Sequence, residues 1–161
     1  AHQSRERKLE ILKDPHAGAF AIAGCGVYLL FYAAAFSELS PEAFPGIAGV
    51  FVMSRALSGY SVVTFPKAKK DGLVTAFAKG ASQAPAAVSG ILLCWLVGGF
   101  FWILLTGGLV MALAAGAGAA AAFLWYRRMA LWEFGGITGD LAGYFLQMAE
   151  LFMIGAAALA G

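Results

Sequence analysis

A chain of 161 residues that is 61% hydrophobic and only 12% charged lies far from the roughly 45–50% and 25% of an average soluble domain, which excludes a water-soluble globule of this size. The net charge of +2 gives no basic face suited to nucleic acid, so no nucleic-acid partner is expected. Lipid can accept such a surface if the apolar residues come in runs of about 20, enough to cross ~30 Å of hydrocarbon at 1.5 Å per residue.

In chain order the first element is polar. Residues 1–16 carry Arg5, Arg7, Lys8 and Lys13 and read as a short amphipathic segment, with Leu9, Ile11 and Leu12 among alternating charges. No cleavable signal peptide is visible, because the first apolar run continues to full spanning length. Spans are expected near 17–36, 46–64, 83–105, 107–126 and 140–160. The second has Arg55 at its centre and adds Ser54, Ser58 and Ser61, which predicts a buried, protein-facing helix. Only Thr106-Gly107-Gly108 separates the third from the fourth, so these two form one helical hairpin. Glycine and alanine crowd the fourth and allow close approach of helix backbones. Cys25 and Cys94 sit in apolar runs without paired spacing and are expected to be small buried residues, neither disulfide partners nor zinc ligands. The fold class is therefore all-α: a polytopic transmembrane helical bundle of about five spans, a single membrane domain over 1–161.

The connecting segments sort by charge. Basic residues gather before the first span, in the 65–82 loop (Lys67, Lys69, Lys70, Lys79) and in the 127–139 loop (Arg127, Arg128), while the intervening loops hold none and one carries Glu38 and Glu42. The positive-inside rule then places segment 1–16 and both basic loops in the cytoplasm and the carboxyl terminus outside. Three polar segments share that face: 4–18, 65–73 and Gly135-Gly136-Ile137-Thr138-Gly139-Asp140 with Gly143 beyond. Lysines, carboxylates and glycine-rich turns suit a phosphorylated substrate. Lysine neutralises phosphate, N–H groups at a helix start bind it, and aspartate holds Mg²⁺ bridging phosphate oxygens. Taken alone, the lysines are more readily topology anchors and lipid-headgroup contacts, and the glycines could simply form a turn feeding a helix with Thr138 as N-cap. Arg55 and Glu150 each lie nine or ten positions inside their spans, roughly 15 Å deep. A charge there costs at least ~2.5–3.5 kcal/mol, so the two are expected either to pair with each other or to contact substrate.

These segments together resemble the cobalamin synthase family, the adenosylcobinamide-GDP ribazoletransferases. The run from Ser4 through Asp14-Pro15-His16-Ala17-Gly18 to Phe20, the pair Ser54-Arg55, the loop Pro66-Lys67-Ala68-Lys69-Lys70-Asp71-Gly72-Leu73, and Gly135 to Asp140 with Gly143 and Glu150 follow the family pattern in order and spacing. Pro15 stands where a serine is common, Val74 where a glycine is usual, and Tyr144 where a small residue is usual. The aspartate-rich D-G-x-x-D-x-x-D-G motif of the family, whose place lies upstream of Ala1, is absent from this sequence, so the chain is expected to be the C-terminal portion of a longer family domain, with an inactive fragment as one reading of it.

The resemblance implies a transfer that completes the nucleotide loop of cobalamin: adenosylcobinamide-GDP and α-ribazole, or its 5′-phosphate, give adenosylcobalamin or its phosphate, and GMP. In that scheme Asp140 and Asp14 are the catalytic and metal candidates, with Mg²⁺ as cofactor. Arg55, Lys67, Lys69, Lys70, Gly135, Gly136, Thr138, Gly139 and Glu150 are the substrate-binding candidates, the glycines letting substrate approach the backbone. A bacterial cytoplasmic (inner) membrane location follows, with the lipid bilayer as partner, the site facing the cytoplasm and homo-oligomerisation open. A small transporter and a non-catalytic assembly subunit are the alternatives.

Overall fold

The computed structural model describes residues 3–14, 16–69 and 72–160. Its helices in order are α1 (Arg5–Ile11), α2 (Ala19–Ser37), a 3₁₀ turn (Pro41–Ala43), α3 (Phe44–Thr64), α4 (Leu73–Ala81), α5 (Pro85–Phe134) and α6 (Gly139–Ala160). Four are long and apolar enough to cross a membrane: α2, α3 with its preceding turn, α5 and α6.

Helix α5 accounts for two spans. Fifty residues of straight helix would run roughly 75 Å, more than twice the hydrocarbon thickness. Gly108 breaks it, with φ 82° and ψ 175°, a conformation that glycine adopts without the steric cost a Cβ imposes. The arms fold back on each other: a Cβ at Gly116 would lie 3.2 Å from the Phe100 ring, although 16 residues of continuous helix would separate those positions by about 24 Å. Residues 85–107 and 109–134 are thus the two arms of a hairpin, and the bundle has five spans.

Helix α3 is central. It packs on α5 and α6, and ten of its residues, from Gly46 to Ser61, are buried. Close crossings are made at glycines. A Cβ at Gly49 would meet the Gly99 carbonyl oxygen at 2.6 Å, and one at Gly118 the Phe152 carbonyl oxygen at 2.5 Å. Such contacts supply dispersion where lipid offers no hydrophobic drive for helix association. Helix α2 is peripheral, with no buried residue, and is held to α6 by a hydrogen bond from the Tyr28 hydroxyl to Gln147 Oε1 (2.5 Å).

Three expectations change. The 127–139 loop is helical as far as Phe134, the end of α5, and only 135–138 connect it to α6. Cys25 and Cys94 are exposed on the bundle surface, because a membrane bundle turns apolar side chains outward to lipid as readily as inward. The 65–82 loop is not irregular throughout: its second half is the helix α4, whose Val74 is buried and whose Phe77 is 65% exposed.

Candidate functional site

Proline shapes the start of the site. Pro66 cannot continue α3, and Phe65 before it takes extended backbone (φ −86°, ψ 150°), as a residue preceding proline favours. The Phe65 ring stacks on Tyr126, 6.0 Å between centroids, fixing where the chain leaves the bundle.

At the same end α5 stops at Gly135, in the left-handed conformation, and the Gly136 N–H returns to the Ala130 carbonyl (3.0 Å). The two loops then pair. Lys67 and Ile137 form a parallel bridge, in which the Ile137 N–H donates to Pro66 O (2.9 Å) and the Ala68 N–H to Ile137 O (3.0 Å). Gly136 permits this contact, since a Cβ there would lie 2.5 Å from Pro66 O and 2.7 Å from the Ala68 nitrogen. The close approach expected of substrate at Gly136 is therefore made by the chain's own backbone.

The first polar segment joins them. Helix α1, capped by the Ser4 hydroxyl accepting from the Arg7 N–H, donates from Arg5 Nη2 to the Trp132 carbonyl (3.3 Å) and pairs Lys8 with Glu133. All three polar segments named from the sequence thus converge at one end of the bundle.

Beside the Lys67–Ile137 bridge opens a cleft of about 350 Å³, lined by Lys69, Gly72, Val74, Thr75, Ile137, Thr138, Gly139 and Asp140. Two helix starts border it. Thr138 caps α6 by accepting from the Leu141 N–H at Oγ1 (3.3 Å); Gly139 and Asp140 line the cleft in the first turn of α6, where N–H groups have no partner within the helix. Helix α4 follows Gly72 at its N-cap, with no side-chain cap, and its Thr75 hydroxyl holds the Lys69 carbonyl (3.0 Å). Two positive helix ends and Lys69, set against the Asp140 carboxylate, make the cleft suited to an anion that arrives with a cation.

The expected residues divide. Lys69, Thr138, Gly139 and Asp140 share the cleft. Asp140 is exposed in the first turn of α6 and has no hydrogen-bond or ion-pair partner among the described residues. Lys67 does not line it; its ammonium turns back to the Phe65 carbonyl, and burial pulls its pKa below the usual lysine value. Lys70 lies outside the described residues. Asp14 is also outside the cleft lining: its Oδ1 accepts from the His16 N–H (2.9 Å) and contacts His16 Nδ1 (2.8 Å), bonds that hold its carboxyl below the ordinary range. Gly135 sits against the Arg5 guanidinium. Val74 and Thr75 were not singled out as site residues; the apolar spacing of Val74, Ala78 and Ala81 was the available signal that 73–81 is a helix with an inner face.

Arg55 and Glu150 stand apart from the cleft and form an ion pair in which Glu150 is buried and Arg55 lies at the bundle surface. Ser54 Oγ donates to Glu150 Oε1 (3.1 Å) and accepts from Arg55 Nη1 (2.8 Å). The Tyr32 hydroxyl reaches Glu150 Oε2 at 3.4 Å.

Among the described residues no three His, Cys, Asp or Glu side chains converge in a metal-binding group. Mg²⁺ is commonly held by one or two carboxylates with water and substrate phosphates completing the shell. The unpartnered Asp140 carboxylate fits that mode of binding.

Residues 1–158 match the cobalamin-5-phosphate synthase family. A protein of Lachnoclostridium phytofermentans named adenosylcobinamide-GDP ribazoletransferase is 44% identical over 94% of this chain and 57% of its own length. Proteins of the same name from Pseudomonas putida and Chlorobium phaeovibrioides are each 34% identical over 97% of the chain and 62% of their length. The chain thus spans about three-fifths of these relatives. No solved structure matches it.

Proposed function

The chain belongs to the cobalamin-5-phosphate synthase family, and on that premise we propose that it forms the phosphate-handling part of an adenosylcobinamide-GDP ribazoletransferase. The observation that carries the proposal is the cleft in which Lys69, Asp140 and the starts of α4 and α6 meet.

In the proposed reaction a hydroxyl of α-ribazole, or of its 5′-phosphate, attacks the phosphorus nearest the corrinoid. The bond from that phosphorus to the bridging oxygen breaks, and GMP leaves with the oxygen. Lys69 and the open N–H groups of α4 and α6 orient the diphosphate and offset its charge. Asp140 takes either the proton side of the attacking hydroxyl or the metal. Mg²⁺ held there with substrate oxygens would neutralise the charge that develops on the phosphates. Lys67, half-buried on the bridge, positions the loop that carries Lys69.

The charge sorting of the loops supports a basic end facing the cytoplasm of a bacterial inner membrane, where nucleotide-activated intermediates are available. The test is binding of adenosylcobinamide-GDP to the chain in proteoliposomes. Lys69→Gln and Asp140→Asn should each weaken it at least tenfold, and in sealed vesicles carrying the full-length enzyme and supplied with α-ribazole, GMP should appear without flux of label. Unchanged binding in both variants would reduce the cleft to a structural junction, and flux without GMP would support a transporter.

A further inference from the structure

Helix α4 is short of partners on one side. Val74 is buried and Thr75 half-buried, and both wall the cleft. Ala76 and Gly80 lie on the opposite side, flanked by Phe77 and Lys79, and all four are exposed, with the Phe77 ring 65% accessible. Phe77 and Lys79, two positions apart and so on the two flanks of that exposed side, give a nine-residue helix one apolar and one cationic contact for a membrane interface.

The connections fix the level of this helix. It ends at Ala81 and α5 starts at Pro85, so three residues, spanning at most about 10 Å, tie it to a spanning helix. At its other end the chain is pinned by the Lys67–Ile137 bridge beside the end of α3. The polar layer on each side of the hydrocarbon is roughly 5–8 Å deep, so a tether of this order keeps the end of α4 close to it. The exposed side chains on this end of the bundle include Lys79, Arg127 and Arg128, a charge complementary to anionic headgroups.

We infer that α4 is an interfacial helix: Phe77 and Lys79 rest on an anionic phospholipid surface while Val74 and Thr75 form a wall of the cleft. The bilayer surface thereby holds one side of the cleft in place. This inference stands on the fold and is independent of the proposed transfer reaction.

Spin labels test it. In a chain carrying Cys25→Ala and Cys94→Ala, a label is placed by Phe77→Cys or, as a second reporter, by Gly80→Cys, where a Cβ meets nothing within 4 Å. Glu10→Cys on α1 serves as the aqueous control. In vesicles of phosphatidylglycerol and phosphatidylcholine both reporters should favour dissolved oxygen over a water-soluble nickel complex as relaxant, with nickel access several-fold below that at position 10. Adding Lys79→Glu should at least double nickel access in these vesicles and leave it unchanged in pure phosphatidylcholine. Nickel access at both reporters equal to position 10 would overturn the membrane seating. No difference between the two lipid compositions would overturn the anionic preference.

Discussion

Arg55 of α3 and Glu150 of α6, 95 residues apart in the chain, are joined by a direct guanidinium–carboxylate contact in which the Glu150 side chain is 7% exposed and that of Arg55 58%. The carboxylate is enclosed by protein, and the guanidinium spreads along the Phe51 ring, 5.4 Å from its centroid. Removing either partner should leave a charge without compensation at membrane depth and cost about 3–5 kcal/mol. Removing both should cost less than the sum. Reversible unfolding in mixed micelles of Arg55→Met, Glu150→Gln and the double variant measures this, and strict additivity would remove the pair as a stabilising unit.

Thr138, and not Asp140, caps α6, which separates capping from chemistry. Thr138→Ala should lower stability by about 1 kcal/mol. Asp140→Asn should leave the unfolding midpoint unchanged while GMP release from adenosylcobinamide-GDP by enzyme-active membranes falls by orders of magnitude. Near-normal release at ordinary Mg²⁺ would show that the carboxylate has no part in the transfer.

Gly136→Ala forces a Cβ into the backbone of the 66–68 segment, 2.5 Å from Pro66 O. The bridge must open or the backbone strain, at a cost of about 1–3 kcal/mol. Hydrogen exchange at the Ile137 and Ala68 amides should accelerate in the variant. Unaltered protection would mean that the bridge does not hold the loops together.

Lys67 carries a stability signature in pH. Its folded pKa lies below the ordinary value because burial disfavours the ammonium, so the unfolded chain binds more protons between the two values. Stability should therefore rise with pH from the lowered folded pKa up to the ordinary lysine value of about 10.4. Lys67→Met should flatten that part of the profile. An unchanged slope would assign the pH dependence to other groups.

Sidedness is accessible to labelling. With Cys25 and Cys94 replaced, an impermeant thiol reagent added to intact cells should reach Glu42→Cys and miss Lys69→Cys and Arg128→Cys until the membrane is opened. The reverse pattern would place the cleft on the outer face.

Much of the fold was legible because it is local. Whether a stretch can cross the bilayer depends on its own hydropathy and length, and the break at Gly108 is announced by the turn residues around it. Loop charges sort without reference to tertiary contacts, and the convergence of three polar segments follows from an alternating sequence of spans. The partners were not legible in the same way. Lipid is as apolar as a leucine face, so helix register in the bundle is decided by close packing at small residues such as Gly49 and Gly118 and by polar pairs such as Arg55–Glu150. Those contacts depend on residues brought together from distant parts of the chain. Only the tertiary structure decided that Gly136 receives the 66–68 backbone, that Lys69 and not Lys67 lines the cleft, and that Cys25 and Cys94 face outward. For Gly136 and Lys69 the neighbour that gives the residue its role arrives from a distant segment of the chain, and for the two cysteines it is the packing of the other helices that leaves them on the outside.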